Sequence, residues 1–204
     1  MEKRWVLKIN PDNEVVEQLS QSLSINKNLL KLLVQRRMTT YDEAKTFFRP
    51  KLENLHDPFL MKDMDKAVDR IIMAIDKGEK ILIYGDYDVD GASSSAILSL
   101  FLTSVGVENE IYIPDRIFEG YGPNPDAIQQ LVERGAKLIV TVDCGSSSFE
   151  SLEEADRLGV DVCVLDHHQM GTEQPKCVAL VNPNRQDDLS GLGYLCAAGV
   201  VFMT

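Results

Sequence analysis

The chain has 204 residues, 44% hydrophobic, 26% charged and 7% aromatic, with a formal net charge of −11. That apolar share excludes a disordered chain, and the length fits one domain of ordinary size with a smaller appendage. No apolar run reaches the roughly 18–20 residues of a membrane span, and MEKRWVLKIN holds no apolar stretch long enough for a signal peptide. Cys144, Cys163, Cys177 and Cys196 lie far apart without a Cys-x-x-Cys pair, so a reducing, cytoplasmic setting is expected rather than a disulfide framework or zinc knuckle.

Residues 1–61 read as a helical N-terminal segment, with helices expected at about 12–22, 27–36 and 40–48. Thr40 followed by Glu43 is a capping-box signature for the third. Pro50 and Pro58 break the pattern, and residues 62–204 are expected to form a second domain. A helix is expected from Asp63 to Asp76, ending at Gly78. Strand-length apolar runs follow at 81–84, 109–113, 137–142, 160–165 and 178–181, with helices between the first four at about 92–104, 125–134 and 147–158. Strand–helix–strand repeats of near-continuous Val, Ile and Leu point to a doubly wound parallel α/β sheet. GYLCAAGVVFMT reads as a last helix without a cap or glycine stop, which suggests a fragment of a longer protein.

The charge is unevenly spread: residues 1–61 hold 10 Lys/Arg against 8 Asp/Glu, and residues 62–204 hold 11 against 24. A nucleic-acid binder normally shows the opposite sign, so the acids are either a solvated surface or ligands whose cations reverse the local charge. Their positions favour the second. Gly85-Asp86-Tyr87-Asp88-Val89-Asp90-Gly91 follows the first expected strand, Asp143-Cys144-Gly145 the third and Asp166-His167-His168 the fourth. Ligands of doubly wound sheets bind beyond the carboxyl ends of the strands. Carboxylates crowded there repel one another unless cations intervene, and mixed Asp and His donors suit Mn²⁺ or a similar divalent ion better than Ca²⁺.

An EF-hand reading of DYDVDG fails because its twelfth position is Ile97 and it follows a strand. The serines Ser93, Ser94 and Ser95 are read either as a plain helix start or as an anion site with free N–H groups aimed at a phosphate. A carboxylate-bridged metal pair points to phosphoester hydrolysis, and no Walker loop, nucleophile elbow or GxGxxG stands at a strand–helix junction.

Asp166-His167-His168 after an apolar strand, with DYDVDG and VDCG upstream, resembles the DHH phosphoesterase superfamily. Within it, YGDYDVDGASSSAIL, RIFEGYGPN, VTVDCGSSSFE and VLDHHQ resemble the single-strand-specific 5′→3′ DNA exonucleases. The resemblance implies the catalytic part of a two-metal enzyme using Mn²⁺ or Mg²⁺, releasing 5′-mononucleotides in DNA repair and recombination. Single-stranded DNA would be its partner, beside a helicase and a single-strand-binding protein. By the same resemblance, Asp88 and Asp90 each hold one metal, Asp143 bridges the two and serves in catalysis, and His167 is a ligand. His168 would face the scissile phosphate, Asp86 and Asp166 would orient ligands, and Arg116 would meet a backbone phosphate, where the bland alternative is an ion pair with Glu119. The family's fourth-motif aspartate would lie downstream of Thr204. Other readings are a phosphodiesterase acting on short oligonucleotides or cyclic dinucleotides, and a non-catalytic replication subunit.

Overall fold

The computed structural model describes residue 4 and residues 6–204, in two compact units, Met1–His56 and Asp57–Thr204. In the first unit, α1 (Asn13–Ser22), α2 (Lys27–Gln35) and α3 (Tyr41–Phe48) start at Asp12, Asn26 and Thr40, whose side chains accept backbone N–H groups of the first turn. The capping box of Thr40 and Glu43 forms on both sides. Val16, Leu19, Leu30, Leu33 and Ala44 make this unit's small core.

The second unit is a five-stranded parallel sheet: β1 (Ile81–Gly85), β2 (Asn109–Tyr112), β3 (Leu138–Val142), β4 (Asp161–Leu165) and β5 (Ala179–Val181), in the order β2-β1-β3-β4-β5. Around it stand α4 (Met64–Lys77), α5 (Val89–Ser104), α6 (Pro125–Glu133), α7 (Phe149–Arg157) and α8 (Ala197–Met203). Met61, assigned above to the N-terminal segment, is 1% exposed and belongs to this second core.

Alternate strand residues serve opposite faces. Ile81, Ile83, Leu138, Val140, Cys163 and Leu165 pack with α4, α5 and α8, whereas Leu82, Tyr84, Ile139, Val162 and Val164 pack with α6 and α7. Burial on both faces is what forbids a polar alternation, and the continuous apolar runs follow from it. All pairs being parallel, each strand ends its carboxyl terminus at the same edge of the sheet. In this strand order the winding reverses between β1 and β3, which opens a crevice at that edge.

α5 begins at Val89, earlier than the expected 92. The reason lies in Asp88, whose Oδ1 accepts from the N–H groups of Asp90 and Gly91 at 2.8 and 3.1 Å and so caps the helix. α8 begins at Ala197, four residues later than the GYLCAAGVVFMT run suggested.

Candidate metal centre at the β1–β3 crevice

The three acidic segments meet at the crevice. Asp86 is the first residue past β1, and Asp88 and Asp90 sit on the turn and first turn of α5. Gly91 is required here, because a Cβ at that position would lie 2.5 Å from the Asp86 carbonyl oxygen. Asp143 follows β3, with its N–H donating to Leu165 O at 3.0 Å, and Asp166 follows β4, donating to Val181 O at 3.0 Å. The sheet's own hydrogen bonding therefore fixes where both carboxylates leave it.

Asp143 has φ +61°, a left-handed conformation in which a non-glycine residue is strained, and its side chain is 2% exposed. The turn is held by the Thr141 hydroxyl, which donates to Cys144 O at 3.0 Å. Gly145, at φ +108°, brings its backbone so near Thr141 that a Cβ would stand 2.6 Å from the hydroxyl oxygen. Burial, then the charges of Asp90 and Asp88, push the Asp143 carboxyl up to about 7. Burial likewise raises Asp86, against the opposing charges of His168 and Arg116.

One ligand atom from each of Asp86, Asp88 and Asp143 falls within 4.8 Å of the others, and so does one from each of Asp143, His167 and His168. Asp143 is common to both groups. Two buried oxygens, Asp86 Oδ1 and Asp143 Oδ1, have no hydrogen-bond partner among the described residues. His167 Nε2 lies 3.2 Å from Asp143 Oδ1 without hydrogen-bond alignment. A small divalent ion holds its ligands at about 2.1 Å, which puts neighbouring ligands of an octahedron roughly 3 Å apart. Orphaned carboxylate oxygens at that spacing beside an imidazole nitrogen fit Mn²⁺ or Mg²⁺.

The histidines are set differently. Asp166, 2% exposed at its side chain, accepts from the N–H groups of His167 and His168 at 2.7 and 3.2 Å, from Ser146 N–H at 3.1 Å, and pairs with His168 Nδ1 at 2.8 Å. Burial alone would raise this acid, but the bonds from His168 and Ser146 outweigh it and hold it at about 2. The bond to Asp166 raises the His168 imidazole to about 9. His168 Nε2, not engaged by Asp166, lies 3.4 Å from the Tyr121 hydroxyl, which also donates to Asp143 O at 3.2 Å.

The expected site residues have these surroundings. Asp90, expected as a ligand, accepts one N–H on each oxygen, from Ala197 and Ala198 at 2.8 Å each, and its Oδ2 is 3.5 Å from His167 Nε2. Asp86, expected to support ligands, is itself in a ligand group. Ser93 and Ser94 do not offer free N–H groups to an anion: α5 starts before them, Ser93 is exposed, and the buried Ser94 hydroxyl has no partner. Arg116 makes no pair with Glu119, whose carboxylate is taken by the Tyr112 hydroxyl and the Asp115 N–H; the guanidinium instead lies 4.6 Å above the Tyr87 ring.

Tyr121, Asn182 and Asn184 were not foreseen. The Asn182 amide donates to Ser146 Oγ and His168 O at 2.8 and 2.9 Å, and the Asn184 amide to His167 O at 2.6 Å. Both follow β5 in VNPNR, so the carboxyl-edge rule that found the aspartates would have found them too.

A family model described as the DHH family, N-terminal domain, matches residues 80–204. The chain is 40% identical over 199 residues to the single-stranded-DNA-specific exonuclease RecJ of Bacillus subtilis (strain 168), covering 98% of this chain and 25% of that protein. Among solved structures, exonuclease RecJ bound to manganese matches with a TM-score of 0.64 and 34% identity, over 70% of this chain and 36% of that one. RecJ from Thermus thermophilus in complex with Mn²⁺ matches with a TM-score of 0.73 and 26% identity, over 95% of this chain and 26% of that one. The α/β architecture is that of these proteins, and the chain spans about a quarter of their curated relative's length.

Proposed function

This chain belongs to the DHH family, and on that footing we propose that it forms the catalytic metal-binding part of a hydrolase that removes 5′-mononucleotides from single-stranded DNA. The observation that carries the reading is the pair of ligand groups sharing Asp143 at the β1–β3 crevice. Asp88, Asp90, Asp143 and His167, with Asp86 beside them, would hold two divalent cations, Mn²⁺ or Mg²⁺. Bound there, such ions neutralise phosphoryl charge and lower the pKa of an attacking water.

His168 complements them from the chain's own side. Its Nδ1 is committed to Asp166, so a protonated Nε2 presents an N–H toward the crevice, suited to a phosphate oxygen or to the departing 3′-oxygen. The Tyr121 hydroxyl limits the ring's rotation. Arg116, stacked on Tyr87, has no carboxylate partner among the described residues and is suited to a backbone phosphate. As the resemblance of the sequence motifs implies, the reading extends to DNA repair and recombination in the cytoplasm, with a helicase and a single-strand-binding protein as partners. No helix among the described residues is long and apolar enough to cross a membrane.

The test is Mn²⁺ calorimetry beside hydrolysis of 5′-phosphorylated single-stranded DNA, a duplex and a dinucleotide. His167→Ala is expected to weaken metal binding, and His168→Ala to leave it nearly unchanged while lowering turnover by about 10²–10⁴-fold. Preference for the dinucleotide would favour a short-oligonucleotide phosphodiesterase, and a chain that binds no divalent ion would overturn the reading.

A further inference from the structure

The first turn of α8 lacks a local cap: Cys196, the residue in the capping position, makes no side-chain hydrogen bond. The capping oxygens come instead from Asp90 on α5, with Oδ2 accepting from Ala197 N–H and Oδ1 from Ala198 N–H. The same carboxylate, 19% exposed, turns toward His167 Nε2 at 3.5 Å. Each carboxylate oxygen has two lone-pair sites, so one N–H on each leaves Oδ2 able to meet a cation shared with His167.

We propose that α8 is coupled to the metal centre through Asp90: the Ala197 and Ala198 amides hold this expected ligand facing His167, and cation binding in turn secures α8. The inference rests on the metal reading above. Outer hydrogen-bond partners of a ligand commonly set its stance and are worth about 10–100-fold in metal affinity. Coupling between two equilibria is reciprocal, so whatever α8 docking adds to cation affinity, the cation returns to α8 docking. A carboxylate that only capped a helix would have no such dependence.

Position 197 offers a way to delete one amide without touching a ligand. It is the first residue of α8, where proline fits a helix, and Cys196 already has φ −79° and ψ 169°, the extended backbone that precedes proline. The experiment measures Mg²⁺ affinity by calorimetry and amide hydrogen exchange over 192–204, with and without Mg²⁺, for the wild type, Ala197→Pro and Ala197→Gly. Saturating Mg²⁺ is expected to slow exchange in α8 of the wild type. Ala197→Pro should weaken Mg²⁺ binding about 10–100-fold, whereas Ala197→Gly, which keeps the N–H, should stay within a few-fold. Mg²⁺ binding with unchanged α8 exchange, or equal loss in the proline and glycine variants, overturns the coupling alone. Absence of Mg²⁺ binding overturns the metal reading and the coupling together. The wild-type exchange comparison decides the matter even if the proline variant fails to fold.

Discussion

Asp166 Oδ1 and His168 Nδ1 lie 2.8 Å apart across a single intervening residue, beyond the end of β4. The pair holds the histidine up at about 9 and the aspartate down at about 2. In metal-free protein the His168 ring should therefore keep its proton through neutral pH. The sign for stability follows: the histidine's contribution is complete below its ordinary value near 6.5 and is lost as pH rises through about 9. The aspartate's contribution is complete above about 3.8 and is lost as pH falls toward 2. An NMR titration of the imidazole checks this, with Asp166→Asn expected to return the midpoint toward 6.5. A wild-type midpoint already at 6.5 would contradict it.

The strain of gathering carboxylates falls on Asp143. Its raised value near 7 means that metal-free stability from this group is present below about 3.8 and is lost as pH climbs through 7. Asp143→Asn removes that loss, and asparagine tolerates the left-handed backbone found there. With a chelator present, the variant should melt above the wild type at pH 8 and by a smaller margin at pH 5. With Mn²⁺ added, the order should reverse, since only the wild type gains from the ion. Thermal melts at the two pH values, each with and without the ion, read all of this.

Gly91→Ala tests how closely the turn must pass over β1. The new methyl would meet Asp86 backbone atoms at 2.5, 2.7 and 2.8 Å, where nothing flexible can yield. Overpacking of this kind costs about 1–3 kcal/mol. Metal affinity should fall as well, because Asp86 and Asp88 flank the contact. Chemical denaturation at wild-type stability would show that the turn relaxes without cost.

Arg185, 3% exposed at its side chain, ties Asp63 at the start of α4 to Asp187 and to Leu180 O of β5, at 2.6, 2.7 and 2.5 Å. Arg185→Met keeps the apolar stem but leaves Asp63 Oδ2 and the Leu180 carbonyl without their donor, Lys66 still holding Asp63 Oδ1. The expected loss is about 3 kcal/mol by urea denaturation, at the low end for a buried pair because Asp187 is half exposed. The hydrogen bonds from Arg185 and Lys62 hold Asp187 well below the usual carboxylate range, so this contribution persists above about 3.8 and fades in strong acid. A loss under 1 kcal/mol would show that the cluster is ornamental to stability.

The sheet could be read from the residues because two-sided burial leaves its mark on every position of β1, β3 and β5 and on all but the first of β4, while the edge strand β2 is only partly covered. The crevice was legible for a related reason, since polar residues directly after buried strands have few other uses. Asp90's actual partners were not, because they are amides 107 and 108 positions away on a helix whose start the apolar run left vague. The start of α5 was hidden by Asp88, which serves as a helix cap and as a ligand candidate at once. Tyr121 lay within RIFEGYGPN, but nothing local to that segment signals that its hydroxyl reaches Asp143 O and His168.

Parallel pairing throughout the sheet has a kinetic consequence. Every ladder joins strands separated by a crossover, so no two of the segments 86–90, 143 and 166–168 meet through a local hairpin. Chain closure over such separations is slow. A cation therefore finds its full ligand set only after the central strands have zipped, too late to hurry the search. Its benefit should fall on the escape rate: Mg²⁺ is expected to slow unfolding markedly and to leave refolding nearly unchanged in stopped-flow measurements.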